Sequence, residues 1–204
     1  MAVNCSALGI SALALLVERP MHPYEMHQLL IQRHQDRVVK VRPGSLYHTV
    51  HWLEKHELVR SASTEREGNR PERTIYEITT EGRAALTGRV TDMLAAPVNE
   101  FPEFPLAIGE AHNLPLETVV ELLGRRLALL EADLDELEGG IRGAEARGVN
   151  PAYWLNASYS RAMQVAEVEW LRRLLDDLGA NVIPWPENGQ PKHLKNKEHD
   201  HANA

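Results

Sequence analysis

Hydrophobic positions along this chain of 204 residues follow two regimes that change near residue 95. In the first, residues 6–17 ("SALGISALALLV") are apolar on nearly every side, which predicts a buried helix stopped by Pro20. The following "MHPYEMHQLLIQRH" places Pro23 at a first helical position and Tyr24, Met26, Leu29 and Leu30 at helical spacing. A third helix is predicted from Pro43 to about residue 56. Its apolar face is Leu46, Val50 and Leu53, and its other face carries Ser45, His48, Thr49, His51 and Lys55. Then "LVRSAST" reads as a strand, "EREGNRPER" as a turn-rich tip and the alternating "TIYEITT" as a second strand. Thr80 is expected to cap a fourth helix beginning "EGRAALTGRVTDML". Three short helices and a hairpin, in that order, are the winged helix-turn-helix pattern, in which the third helix enters the major groove of DNA.

In the second regime the period lengthens into heptads. Residues 95–109 carry Pro97, Pro102 and Pro105, cannot be one continuous helix, and are expected to be a linker. Beyond them Val120, Leu123, Leu127, Leu130, Leu134, Leu137, Ile141 and Ala144 alternate at steps of three and four, a coiled-coil seam. Asn150-Pro151 breaks the chain. A second long helix, about residues 151–178, offers Leu155, Tyr159, Met163, Ala166, Trp170, Leu174 and Leu178. Two such helices make an antiparallel hairpin with more apolar surface than one chain covers, so a homodimer is expected. The domain reading is 1–94 winged helix, 95–109 linker, 110–180 helical dimerisation domain and 181–204 a tail with little fixed structure. The fold class is mostly α with a small β-hairpin.

Charge sharpens this division. The whole chain carries a net −7, which by itself argues against a nucleic-acid partner. Residues 1–90, however, hold 12 Lys+Arg and 10 Asp+Glu, a net of +2, so the acidity belongs to the second half. Cys5 is the only cysteine, which excludes an intramolecular disulfide and fits a cytoplasmic protein. The apolar run at residues 7–17 lacks the basic flank and cleavage site of a secretory leader, and no segment reaches the roughly 20 apolar residues of a membrane helix. No catalytic constellation, phosphate loop or paired carboxylate is present, so an enzyme is not expected, nor a cofactor. The tail histidines His193, His199 and His201 lack the order of a metal site.

Three motifs at matching spacing carry a resemblance over about residues 7–90. These are the "P-x-x-x-Y-E" around Tyr24, "P-G-S-L-Y" at Pro43 to Tyr47, and "Y-x-I-T-x-E-G" at Tyr76 to Gly82. With the elements in this order, the chain resembles the PadR family of bacterial transcriptional regulators. Beyond the linker the likeness is of architecture, long helices with "EWL" at 169–171, as in the dimerising domain of the longer subfamily. The resemblance implies a homodimer reading a pseudo-palindromic operator, acting as a repressor. One departure is Glu57, where the family usually has glycine. A left-handed residue there costs about 1–2 kcal/mol for an L side chain, so a tighter or differently shaped turn is expected.

Within that frame the candidate DNA-binding residues are Arg42, Gly44, Ser45, Tyr47, His48, His51, Lys55, Arg66, Arg70 and Arg73. Gly44 and Ser45 leave no bulk between the helix N-terminus and a phosphate, and Arg42 adds charge there. Tyr47, by its match to the family tyrosine, is assigned to the phosphate backbone, while His48 and His51 face base edges. Alternatively Ser45 is a turn residue and Tyr47 core. At the wing tip Arg66, Arg70 and Arg73 are set to meet phosphates or a minor groove, although Glu65, Glu67 and Glu72 partly cancel them. Tyr153, Trp154, Met163 and Trp170 serve either as interface core, which is preferred, or as walls for a small aromatic effector. A winged helix used only for protein interaction is the competing class. A DNA reader would gather Arg42, Lys55, Arg60, Arg66, Arg70 and Arg73 on one face.

Overall fold

Ser6 starts the first element as an N-cap: its hydroxyl accepts the Gly9 amide at 3.1 Å and opens α1 (Ala7–Glu18). The structure, a computed structural model, describes residues 5–65 and 73–186. The chain divides into two units, residues 1–100 and 101–204. In the first, α1 is the centre: Leu8, Ala12, Leu13, Leu15 and Leu16 are all buried. Around it lie α2 (Pro23–Gln32) and α3 (Pro43–Lys55), joined through a single 3-10 turn at Gln35–Arg37. Met26 and Leu30 from α2 meet Leu46, Val50 and Leu53 from α3 in the same cluster. The Arg33 guanidinium ties α2 to the end of α1 through both oxygens of Glu18, at 2.5 and 2.9 Å.

The hairpin is β1 (Val59–Glu65) against β2 (Arg73–Ile78), antiparallel, with an irregularity between Ser61 and Ser63. Met21 adds a short third rung, exchanging both backbone hydrogen bonds with Tyr76 at 3.1 Å. This rung anchors the wing to the segment just before α2.

The turn after α3 differs from expectation. Glu57 takes φ 60, the left-handed conformation, although it is not glycine. The Glu57 amide donates to Glu54 O at 2.9 Å and the Leu58 amide to Leu53 O at 3.0 Å, the paired bonds of a Schellman motif. Leu58 and Leu53 are both buried in the core, supplying the apolar contact that accompanies this motif. The turn keeps the shape a glycine would favour, because those two bonds and that contact outweigh the local strain.

The cap of α4 (Thr80–Ala95) is Thr79 rather than Thr80. Its hydroxyl accepts from the Gly82 amide at 3.0 Å and donates to Glu57 O at 2.7 Å, so one side chain joins the Schellman turn to the next helix. Gly82 lies so close to that turn that a Cβ there would stand 2.0 Å from Leu58 O.

In the second unit α5 (Glu103–Gly109) occupies part of the stretch expected to be a linker. Pro102 is its N-cap residue and Pro105 falls in its first turn, where no amide partner is lost. The long helices α6 (Leu116–Ala146) and α7 (Leu155–Gly179) form the hairpin. A single 3-10 turn at Pro151–Tyr153 precedes α7, so the second helix starts four residues later than its proline suggested. The apolar seam of α6 meets Leu171, Leu174, Leu175 and Leu178 of α7, and Val168 is buried as well. Polar bridges flank it: Arg126–Glu167 at 2.6 Å, Arg161–Glu138 at 2.7 Å and Arg172–Glu131 at 2.6 Å.

A second apolar stripe points outward, with Leu122 and Leu129 on α6 and Leu155, Tyr159, Met163 and Trp170 on α7 all exposed. Of the apolar positions the sequence offers on this helix, Leu155, Tyr159, Met163 and Trp170 belong to this outward stripe, while Leu174 and Leu178 pack inward. The start of the expected tail is fixed: Trp185 packs on the second unit's core and its indole N–H donates to Leu114 O at 2.9 Å. Among the described residues no helix is long and apolar enough to cross a membrane.

Candidate nucleic-acid interface

The two faces of α3 separate cleanly. Leu46, Val50 and Leu53 are at most 1% exposed, while Gly44, Tyr47, His48, His51 and Lys55 are all exposed. At 100° per residue those five fall in one stripe along the side opposite the core. Ser45 is exposed but sits at the flank, where its carbonyl accepts the Thr49 hydroxyl at 2.8 Å. Tyr47, 45% exposed, is therefore not a core residue. His51 is exposed too and lies 3.6 Å from Glu54.

Arg42 is the N-cap residue of α3 in an extended conformation and makes no side-chain capping bond. The first amides of α3 thus have no cap acceptor from that side chain, and the positive end of the helix dipole faces the same way. A Cβ added at Gly44 would meet nothing within 4 Å. Among the described residues no packing requires glycine there, and the backbone is open to approach from outside.

The wing is only partly in view. Arg66 and Arg70 lie outside the described residues; the backbone of Arg73 opens β2 opposite Glu65. Arg60, expected among the DNA-facing cations, is held by Glu77 across the hairpin at 2.6 Å. Its charge is committed within the wing.

Two neighbours of α3's exposed face escaped sequence reasoning. Trp52 stacks on His56 at 4.0 Å between ring centroids, a contact its i, i+4 spacing would have revealed. His22 stands edge-on to Tyr47 at 5.8 Å, and nothing local in the sequence signals that pair.

The four aromatic and sulfur side chains of the second unit do not share one place. Trp154 is half-buried at the hairpin turn, its indole N–H donating to Val149 O at 3.3 Å. Tyr153 beside it is exposed. Trp170 lies 15 residues into α7, about 22 Å along the helix. There it meets Phe104 edge-on at 6.2 Å, and the Arg126 guanidinium covers the same Phe104 ring at 3.6 Å. Met163 is on the outward stripe between them.

Among the described residues no group of His, Cys, Asp and Glu is disposed to hold a metal. Cys5 is buried. Burial pushes its thiol pKa up, with Arg89 pulling the other way, so it is a core thiol rather than a nucleophile. Burial, helped by Glu54, likewise raises Tyr76.

Residues 12–88 match the family model described as the transcriptional regulator PadR-like family. A comparison with curated protein sequences finds no match. Among solved structures, Bacillus subtilis PadR in complex with operator DNA is 18% identical with a TM-score of 0.73, covering 85% of this chain and 99% of that one. The same Bacillus subtilis protein in complex with p-coumaric acid gives 16% identity and a TM-score of 0.70 over 85% and 99%. The PadR-like regulator BC1756 from Bacillus cereus gives 19% and 0.63 over 85% and 99%. At these identities the likeness is one of fold, and it extends through both units, from the winged helix to the C-terminal helices. The family match thus covers the N-terminal winged-helix unit, which over residues 12–88 is similar to the PadR-like family of transcriptional regulators.

Proposed function

We propose that the protein is a homodimeric, DNA-binding repressor that acts in the cytoplasm and is released by a small aromatic effector. The observation that carries the DNA reading is the stripe on α3. An uncapped N-terminus with Arg42 leads into Gly44, Tyr47, His48, His51 and Lys55, all exposed and all on the side away from the core. Arg42 and Lys55 with the wing arginines Arg66, Arg70 and Arg73 supply phosphate contacts, and His48 and His51 meet base edges. In this reading the working divisions are residues 1–94 for DNA, 95–109 as connection and 110–180 for dimerisation.

Dimerisation is supported by the outward stripe on α6 and α7, where Leu129 is 73% and Tyr159 69% exposed. So much contiguous apolar surface on a polar chain marks an interface. Two winged units so joined would read half-sites of a pseudo-palindromic operator about one helical turn or a multiple apart. The effector reading is supported by the likeness to a regulator crystallised with p-coumaric acid. In this chain the walls for such a ligand are either Tyr153 and Trp154 at the hairpin turn or Met163 and Trp170 farther along α7, because one small ligand does not reach both places.

A mobility-shift titration with duplex DNA from upstream of its own gene, at two salt concentrations, tests the central claim. Affinity is expected to fall steeply with salt, and Lys55→Ala is expected to flatten that slope by about one unit. A salt-independent complex, or none, rejects DNA binding. A promoter reporter then reads the sign: loss of the protein is expected to raise transcription.

A further inference from the structure

The pair formed by His22 and Tyr47 joins two elements at the exposed edge of the first unit. His22 is the N-cap residue of α2: its Nδ1 accepts the Tyr24 amide at 3.0 Å. That bond leaves the ring little freedom to turn. The backbone on either side is also held, by the Met21–Tyr76 rung before it and by the fixed φ of Pro23 after it. The ring is therefore presented from a rigid corner. From there it stands edge-on to the Tyr47 ring, at 5.8 Å between centroids and 71° between planes.

Tyr47 by contrast is on an open helix face, where a tyrosine ordinarily samples two χ1 wells. Ordering such a side chain on binding costs affinity, and ordering it beforehand removes that cost. We propose that His22 is a positioning residue for DNA recognition: it caps α2 with one nitrogen and with its ring holds Tyr47 in the rotamer that meets the phosphate backbone. The proposal rests on the DNA reading above and adds a residue outside α3 and the wing to the recognition machinery. The titratable groups facing the imidazole include Glu25 on its own helix, itself bonded to Arg19, and the neutral Tyr47 phenol on α3.

The two roles of His22 separate by substitution. His22→Asn keeps a good capping acceptor and removes the ring, whereas His22→Phe keeps a ring and removes the acceptor. In the full-length protein, with the upstream duplex as probe, His22→Asn is expected to bind about three- to tenfold more weakly at an unchanged melting temperature. His22→Phe is expected to melt lower yet bind more tightly than His22→Asn. Adding His22→Asn to Tyr47→Phe should cost nothing further. In the free protein, Tyr47 χ1 couplings should report one rotamer in the parent and in His22→Phe, and averaging in His22→Asn.

Binding that follows the melting temperatures of the two variants makes His22 a cap only and overturns the proposal. A weakened Tyr47→Phe beside an unaffected His22→Asn also overturns it and leaves the DNA reading intact. If Tyr47→Phe and Tyr47→Ala both bind like the parent, Tyr47 does not contact DNA, and the proposal falls with that contact.

Discussion

Glu57→Gly is expected to make the first unit more stable, although it removes a side chain. An L residue at φ 60 brings its Cβ against the following carbonyl, at a cost of about 1–2 kcal/mol. Glycine removes that cost but loses about 0.5–1 kcal/mol more backbone entropy on folding. The difference is a gain centred on about 0.75 kcal/mol and at most about 1.5 kcal/mol, the central figure being about 3–6 °C in melting temperature for a unit of this size. Charge offers a competing route to the same sign. Glu57 is exposed at the C-terminal end of α3, where the helix dipole disfavours a carboxylate, and Glu54 and Glu81 line the same open depression. Glu57→Ala separates the two effects, because it removes the charge and keeps the Cβ. Chemical denaturation of the full-length chain, followed through protection of the Val50 and Leu58 amides, measures the stability of this region. Stability should rise in Glu57→Gly and stay near the parent in Glu57→Ala, at low and high salt alike. A glycine variant no more stable than the alanine variant would refute the strain argument and leave electrostatics as the cause.

Gly82→Ala should be among the most damaging single-methyl additions, at or above about 3 kcal/mol, since its Cβ would meet Leu58 O at 2.0 Å and Ile78 Cγ1 at 2.8 Å. Thermal melting of the variant checks this, and a melting temperature within a degree or two of the parent contradicts the close approach. The Arg33 hydrogen bond holds the Glu18 carboxyl below its ordinary value, so its contribution is present above the unfolded-state pKa and lost as pH falls through the lowered one. Glu18→Gln should therefore cost up to about 1 kcal/mol near neutral pH, a figure limited by exposure, and the gap should close in acid. Leu129→Glu combined with Tyr159→Glu should yield a folded monomer at micromolar concentration in sedimentation velocity. An intact dimer places the interface elsewhere. Tryptophan emission titrated with planar aromatic acids, and DNA affinity measured with any hit, should show ligand binding and DNA binding opposing each other; hits that bind free and DNA-bound protein alike count against release by an effector.

Local patterns sufficed for much of the fold. The core stripe Leu46, Val50 and Leu53, the start of α2 at Pro23 and the alternation in β2 are each written within about a dozen residues, and backbone hydrogen bonding converts such periods directly into elements. The exposed stripe on α3 was legible for the same reason, since residues three and four apart on a helix share a face whatever surrounds it.

What the tertiary structure decided depends on residues far apart in the chain. Thr79 rather than Thr80 is the cap because its hydroxyl has two partners, Gly82 ahead and Glu57 behind, and only the second, 22 residues away, distinguishes the two threonines. Glu57 accepts a left-handed backbone because the Thr79 hydroxyl bonded to its carbonyl and the approach of Gly82 to Leu58 hold that turn from outside its own sequence. On α7 two apolar stripes compete by pattern alone. The inner one, Leu171, Leu174, Leu175 and Leu178, is chosen by the complementary seam of α6 and by the ion pairs that flank it, leaving Tyr159, Met163 and Trp170 outside. Trp185 and His22 make the same point at single residues. Each has its partner 25 or more positions away, at Leu114 and Tyr47, and a ring's partner follows from packing, which no local spacing encodes.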